Sequence, residues 1–350
     1  MSNYNLQNFK NICLLRSGAI GDIIHTLPLV NLLSHKFKNK KITFAMGREL
    51  AELMSYAKGL DQIVPISINS NIFNLIKQTE TLKQASDGQF DLFLNLQPNW
   101  KTKFIAYLMK PKQIYNYEKS ANISPYQISQ GLDLKQHAWE NFALTYFHEL
   151  DLASENIQKF FPLIELPEEL KQNSLNSLGL NKKEKYLALV LGVGHHRPHR
   201  AWPLENWLNF IELILKKDFS VSQIILIGGS DEEFLAYKLM QSLPSFARSR
   251  IINLCGKLNL LASAAILSNC SLAIGADTGP THLASALGVK TIGLFGPTSP
   301  TRHSPFFGIG LSNSEHECLK SCSQKKCSKT LLNCMESLKP EEVWLAMNEV

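Results

Sequence analysis

Gly275-Ala276-Asp277-Thr278-Gly279-Pro280-Thr281-His282-Leu283-Ala284-Ser285-Ala286-Leu287-Gly288, continuing to Gly293-Leu294-Phe295-Gly296-Pro297-Thr298-Ser299-Pro300, is a strand, a turn and a helix in immediate succession. Residues 271–276 are apolar or small and predict a buried strand. The next four residues are polar or turn-forming, and 282–287 begins a short helix of small apolar residues. A helix opening directly off a buried strand aims its first N–H groups, and the positive end of its dipole, beyond the strand. A phosphate or diphosphate suits that spot. Asp277, Thr278 and His282 bring side chains to the same place.

The alternation extends outward in both directions. Upstream, 186–192, 223–228 and 251–255 predict strands, with helices over 204–216, 232–243 and 260–267; downstream, 290–295 predicts a further strand. The first hundred residues repeat the rhythm, with strands at 11–15, 41–45, 62–66 and 91–96 and helices at 23–37, 49–57 and 72–85. Residues 100–109 and 137–150 also look helical. Such a pattern implies an α/β chain whose parallel sheets carry helices on both faces. Residues 153–185, with Pro162, Pro167 and a charged patch at 181–185, resemble a linker. The expected organisation is a Rossmann-like domain over 1–160, a linker over 161–185 and a second Rossmann-like domain over 186–350 ending in a helix. Ligands would lie in the central cleft that the two domains face, beyond the carboxyl ends of the strands.

A length of 350 residues suits two domains, and 45% hydrophobic with 19% charged residues describes a globular protein with real cores. The net charge of +6 favours anionic ligands or surfaces but is too evenly spread to argue for nucleic acid. The first nine residues lack the basic region and cleavage site of a signal peptide. The longest uncharged stretch, 258–276, is broken by Asn259, Ser263, Ser268, Asn269 and Ser271, so no membrane span is expected. A cytoplasmic protein is the expectation. Cys13, Cys255 and Cys270 lie in apolar segments as small buried hydrophobes.

Four further constellations carry chemistry. In Arg16-Ser17-Gly18-Ala19-Ile20-Gly21-Asp22-Ile23-Ile24-His25, a strand runs into a glycine-bearing turn and Asp22 heads a helix. The spacing is not a dinucleotide fingerprint. Asp22 suits a plain N-cap and equally a base that takes a proton from a sugar hydroxyl; His25 follows one turn on. Gly192-Val193-Gly194-His195-His196-Arg197-Pro198-His199-Arg200-Ala201-Trp202-Pro203 is a cationic loop ahead of a helix. Its histidines have no Asp, Glu or Cys beside them to complete a metal set, and Arg200 suits a diphosphate. Gly228-Gly229-Ser230-Asp231-Glu232-Glu233 ends a strand in a tight turn and begins a helix, its acids favoured there by the helix dipole alone, with Asp231 also a candidate for ribose hydroxyls. Cys318, Cys322, Cys327 and Cys334 are four thiols among lysines, either a metal site or structural thiols. No Asp-x-Asp pair occurs, so cationic side chains and helix ends would carry a leaving diphosphate.

Taken in order, segments 16–28, 200–203 and 277–300 resemble glycosyltransferase family 9, the ADP-heptose:lipopolysaccharide heptosyltransferases. The 137–150 helix and the segment ending Cys334-Met335 are similar to members as well. The resemblance implies a GT-B fold, with acceptor on the N-terminal domain and ADP-sugar on the C-terminal one, and an inverting transfer that needs no metal cofactor. Asp22 matches the family's catalytic base. Asp277, Thr278, Gly279 and His282 match the donor-binding segment, to which Thr281 is added at the helix start, and Asp231 matches an acid near the adenosine ribose. Arg200 stands where many members carry lysine, and His195 and His196 stand where hydroxyl residues often hold phosphate. On this reading Arg200, His195 and His196 face the donor, while Ser17, Gly18, His25, Lys101 and Lys103 serve the acceptor. The implied partners are ADP-heptose, the lipopolysaccharide core and, through Lys101, Lys103, Lys110 and Lys112, phosphorylated core sugars or the inner membrane face. Other readings of the same residues are a GT-B enzyme with another nucleotide sugar or a protein acceptor, and a non-catalytic sugar-nucleotide or metal-binding scaffold.

Overall fold

The computed structural model describes residues 9–36, 39–69, 71–86, 88–116, 157–194, 197–217, 220–313 and 334–350. The chain divides into two compact units, Met1–Glu165 and Leu166–Val350. The expected 137–150 helix, His195, His196, Cys318, Cys322 and Cys327 lie outside the described residues.

In the first unit, β1 (Asn11–Leu15), β2 (Lys41–Gly47), β3 (Gln62–Ile66), β4 (Leu92–Asn95) and β5 (Gln113–Asn116) form one sheet in the order β3-β2-β1-β4-β5. Every pairing is parallel. Helices α1 (Ile20–Ile24), α2 (Leu27–Lys36), α3 (Arg48–Met54), α4 (Ile72–Ala85) and α5 (Trp100–Met109) alternate with the strands. Leu75, Leu82, Ile105, Ala106 and Met109 of α4 and α5 pack with Cys13, Leu15, Val64 and Phe93 of the sheet. The order reverses between β1 and β4, so the loops after these two strands diverge and leave a crevice at their carboxyl ends.

The helix expected over 23–37 is instead two, α1 and α2, divided at His25 and Thr26. Pro28 has no N–H to give to the carbonyl four residues back. His25 and Thr26 close α1 onto the carbonyls of Gly21 and Ile23, at 2.9 Å each, and Val30 restarts the ladder on Thr26. Asp22 lies in the first turn of α1, and Ala19 rather than Asp22 occupies the N-cap.

The second unit repeats the design. Strands β6 (Tyr186–Val190), β7 (Gln223–Ile227), β8 (Ile251–Asn253), β9 (Leu272–Ala276), β10 (Lys290–Phe295) and β11 (Gly308–Ser312) run in the order β11-β10-β9-β6-β7-β8. All are parallel, and the switch falls between β6 and β9. Trp202 and Trp207, both fully buried with rings edge-to-face at 4.7 Å, anchor the core against the Leu204–Lys216 helix. Trp202 Nε1 and Asn206 Nδ2 both donate to the Leu338 carbonyl, which holds the C-terminal Pro340–Ala346 helix in place.

The expected linker over 161–185 is packed structure. Leu163, Ile164 and Leu166 are buried, and Ile164 bridges Ala57 while Lys58 N–H donates to the Leu163 carbonyl. The Glu168–Asn176 helix buries Leu175, and Asn269 Nδ2 donates to its Lys171 carbonyl at 3.2 Å. A sparse apolar pattern concealed this: Leu163, Ile164, Leu166 and Leu175 do the packing while the residues around them stay polar. Burial pushes the Cys255 and Cys270 thiols up to about 12, and Cys13 is raised for the same reason. Such thiols stay protonated and inert, as their apolar context implied. Among the described residues, no helix is long and apolar enough to cross a membrane.

Candidate active site

The loops following β6, β7 and β9 enclose a pocket of about 210 Å³ in the second unit, lined by residues that include Gly192, Gly194, Gly229, Glu232, Thr278 and Gly279. It lies at the switch between β6 and β9, where this strand order leaves room for a ligand. Thr278 is the N-cap of the Gly279–Ala286 helix, with Pro280 in its first turn. Its hydroxyl makes no capping bond; the Thr281 hydroxyl instead turns back to the Ala276 carbonyl at 2.7 Å. Thr278, Gly279 and Pro280 line the pocket, so the start of this helix borders it, and first-turn N–H groups have no intrahelical acceptor.

Beneath this turn sits a buried ionic cluster. Asp277 accepts from Arg200 Nη1 at 2.9 Å on one carboxylate oxygen and meets His282 Nε2 at 2.9 Å on the other. Arg200 Nη1 also approaches the Asp277 carbonyl at 3.3 Å. Exposure is 7% for Asp277, 7% for Arg200 and 4% for His282. Burial by itself would raise the Asp277 carboxyl. The His282 hydrogen bond and charge, supported by His303 and Arg200, outweigh it and hold the group well below the usual carboxylate range. Arg200, expected to face a diphosphate, is engaged by Asp277 in the structure. His199 is half-buried, and burial, reinforced by Arg200 and Arg197, lowers its pKa.

Glu232, expected from sequence only as an acid at a helix start, ties two loops of the site together. Its carboxylate accepts from Gly194 N–H at 3.1 Å and Gly229 N–H at 2.8 Å, pinning the loop after β6 to the turn after β7. Gly194 has a φ of +68°, a left-handed conformation that glycine adopts without strain. A Cβ on Gly192 would lie 2.3 Å from Glu232 Cδ, whereas one on Gly229 would have Glu232 Oε2 at 3.5 Å. Gly192→Ala is therefore expected to lower stability by about 1–3 kcal/mol through forced displacement of Glu232, with Gly229→Ala close to wild type, as thermal unfolding would show. Asp231, the candidate for ribose hydroxyls, is exposed beside Glu232, and its Oδ2 lies 3.8 Å from the Cβ position at Gly194.

In the first unit the loops after β1 and β4 are joined. Ser17 N–H and hydroxyl both donate to Gln97 Oε1, at 3.0 and 2.8 Å, and the Ser17 carbonyl accepts from Gly47 N–H at 3.0 Å. Arg16 reaches across with Nη1 on the Leu96 carbonyl at 2.8 Å, Nε on the Gly18 carbonyl at 3.2 Å and Nη2 on Asp22 Oδ2 at 2.6 Å. Asp22 keeps 46% of its side chain exposed, so its carboxylate is held and still reachable. His25, by contrast, is buried, at 3% exposure. Lys101 is half-buried, with Nζ 5.6 Å from the centre of the Trp100 ring, and Lys103 is exposed. Lys112 is drawn off to Asp91 at 2.6 Å.

Comparison with known proteins agrees with this architecture. The family described as Glycosyltransferase family 9 (heptosyltransferase) matches residues 79–334. Lipooligosaccharide heptosyltransferase 2 of Campylobacter jejuni serotype O:2 is 30% identical over 328 residues, 93% of each chain. A solved glycosyltransferase family 9 structure from Veillonella parvula superposes with a TM-score of 0.79 at 22% identity, covering 97% of this chain and 96% of that one. The Escherichia coli ADP-heptose lps heptosyltransferase II structure gives 0.74 at 16% identity, covering 97% and 98%. The chain belongs to glycosyltransferase family 9, the heptosyltransferase family, and is a glycosyltransferase of GT-B fold.

Proposed function

We propose that the protein transfers heptose from ADP-heptose to a sugar hydroxyl of the lipopolysaccharide inner core, in the cytoplasm, with inversion and without a catalytic metal ion. The observation that carries this is the pocket at the β6–β9 switch, bordered by the start of the Gly279–Ala286 helix, whose N-cap Thr278 directly follows Asp277 of the buried Arg200–Asp277–His282 cluster. The names of the similar Campylobacter and Escherichia proteins support heptose as the sugar and ADP as its carrier.

The donor diphosphate lies against the N–H groups of Gly279 and Thr281 and the Thr278 hydroxyl. Since Arg200 already neutralises Asp277, the helix start carries the larger share of the charge on the leaving ADP, and Arg200 the smaller. Asp231 takes the adenosine ribose, and Asp277, fixed on both oxygens, orients the sugar. Ser17 and Gly18 border the acceptor, with Lys101 and Lys103 toward its phosphates. Asp22 accepts the acceptor's hydroxyl proton as that oxygen attacks the anomeric carbon. The bond from that carbon to the diphosphate breaks, and its electron pair departs with ADP.

Calorimetry with ADP-heptose against UDP-sugars, followed by transfer to truncated core acceptors in excess EDTA, tests this reading. Binding selective for ADP-heptose, with turnover undiminished by EDTA, is expected. Preference for a UDP-sugar would overturn the donor assignment, and loss of turnover in EDTA the metal-free step.

A further inference from the structure

We infer that Arg16 is a positioning residue for the transfer step: it fixes the Asp22 carboxylate through one oxygen, Oδ2, and leaves Oδ1 to take the acceptor's proton. This rests on the reading above in which Asp22 is the base. Helix α1 gives that carboxylate little hold of its own. It is five residues long, and its N-cap, Ala19, makes no side-chain capping bond. A helix of that length is marginal unless something outside it supplies the support.

The support comes from the sheet. Arg16 directly follows β1, and its N–H continues the ladder by donating to the Ala45 carbonyl at 3.0 Å, so its backbone is still held in the sheet. Leu96 directly follows β4 and is tied in the same way, its N–H donating to the Leu15 carbonyl at 3.0 Å. The guanidinium links these two fixed points to α1. Nη1 donates to the Leu96 carbonyl, Nε to the Gly18 carbonyl one residue before the N-cap, and Nη2 meets Asp22 Oδ2. A planar fork engaged on all three nitrogens has little freedom left to turn. Asp22 is thereby referenced to two strands rather than to a short helix.

The two side chains divide the work by their exposure. Arg16 is 12% exposed and is spent on its protein partners, whereas Asp22 keeps 46% of its side chain open to an incoming hydroxyl. As the acceptor O–H bond breaks, its proton passes to Oδ1 and its electron pair forms the bond to the anomeric carbon. The bond from that carbon to the diphosphate breaks in turn, and its pair leaves with ADP. Arg16 neither gains nor loses a proton. Its contribution is geometric, since a displacement of about 1 Å in a reacting group can cost about 10²-fold in rate.

The test compares Arg16→Met and Arg16→Lys in the wild-type and Asp22→Asn backgrounds. kcat and KM are measured on the full chain with ADP-heptose and a truncated core acceptor, below each variant's melting temperature. Arg16→Met should lower kcat roughly 10²-fold. KM for ADP-heptose should stay within about twofold, because the donor pocket is built from residues of the other unit. Arg16→Lys keeps the charge without the fork, and should lose about tenfold. In Asp22→Asn, either change should alter kcat by less than about twofold, as groups that act as one unit are not additive. Should Arg16→Met fail to fold, Arg16→Lys carries the same comparison. Equal losses in both backgrounds would mean that Arg16 serves the fold or touches substrate itself; they overturn the proposal and leave Asp22 as the base. Undiminished kcat in a folded Arg16→Met does the same. Undiminished kcat in Asp22→Asn overturns the base reading, and the proposal with it.

Discussion

Asp22→Ala is expected to lower the turnover of heptose transfer by about 10²–10⁴-fold while ADP affinity stays near the wild-type value. The carboxylate belongs to the first turn of α1, a helix that Pro28 forces to end early, and Arg16 fixes it from a guanidinium that is itself tied to the Leu96 and Gly18 carbonyls. Those two anchors survive the substitution, so Arg16 remains in place. With Asp22 46% exposed on its side chain, the lost ion pair costs less than about 1 kcal/mol. The fold should therefore persist, and the loss reports chemistry. The pocket assigned to ADP is built wholly from residues of the Leu166–Val350 unit, which predicts unchanged ADP binding. Steady-state transfer assays and ADP calorimetry on the same preparation decide the matter. Unaltered turnover would remove Asp22 from the role of base; a parallel collapse of ADP affinity would reassign it to binding or folding.

The sheets were legible where local pattern and tertiary role coincide. Helix α4 spans the range that its buried Leu75, Leu82 and Ala85 mark at helical spacing, and the Leu204–Lys216 helix likewise follows Trp207, Phe210, Ile211 and Ile214. β5 and β11 were missed: Gln113–Asn116 is four residues long at a sheet edge, and Gly308–Ser312 is interrupted by glycine. At the site, the strand–turn–helix at 272–286 announced itself through Thr278, Gly279 and Pro280, whose conformational preferences act locally. Glu232 did not, because an acid at a helix start is already explained by the helix dipole, and its real partner, Gly194, is 38 residues away. The contact of Gln97 with Ser17 stayed hidden for the same reason, at 80 residues. Arg200 was recognised as a cation and assigned to a phosphate, but its contact with Asp277 spans 77 residues and depends on β6 and β9 lying side by side. Residue type reveals what a side chain can do; only strand order reveals what it meets first.

That contact carries the second large effect. Asp277→Ala leaves the Arg200 guanidinium buried without its counter-charge and deprives His282 of its acceptor. Breaking a buried pair from one side costs about 3–5 kcal/mol, which in a unit of this size lowers the melting temperature on the order of 10 °C. Because the folded Asp277 carboxyl is held below its ordinary value, the stabilisation is fully present above the unfolded value of about 3.9 and disappears as pH falls through the folded one. The gap between wild type and Asp277→Ala should therefore narrow only in strong acid. A second variant separates folding from binding. Arg200→Met together with Asp277→Leu replaces the pair with apolar groups of similar size, an exchange that is often neutral or stabilising for buried ion pairs. The double variant should regain most of the lost melting temperature and still bind ADP-heptose poorly, since neither the carboxylate for the sugar nor the guanidinium beside the diphosphate returns. Recovery of donor affinity along with stability would make the cluster purely architectural. Failure of both to recover would show that the His282 contact, rather than the Arg200 pair, holds the Gly279–Ala286 helix start in place.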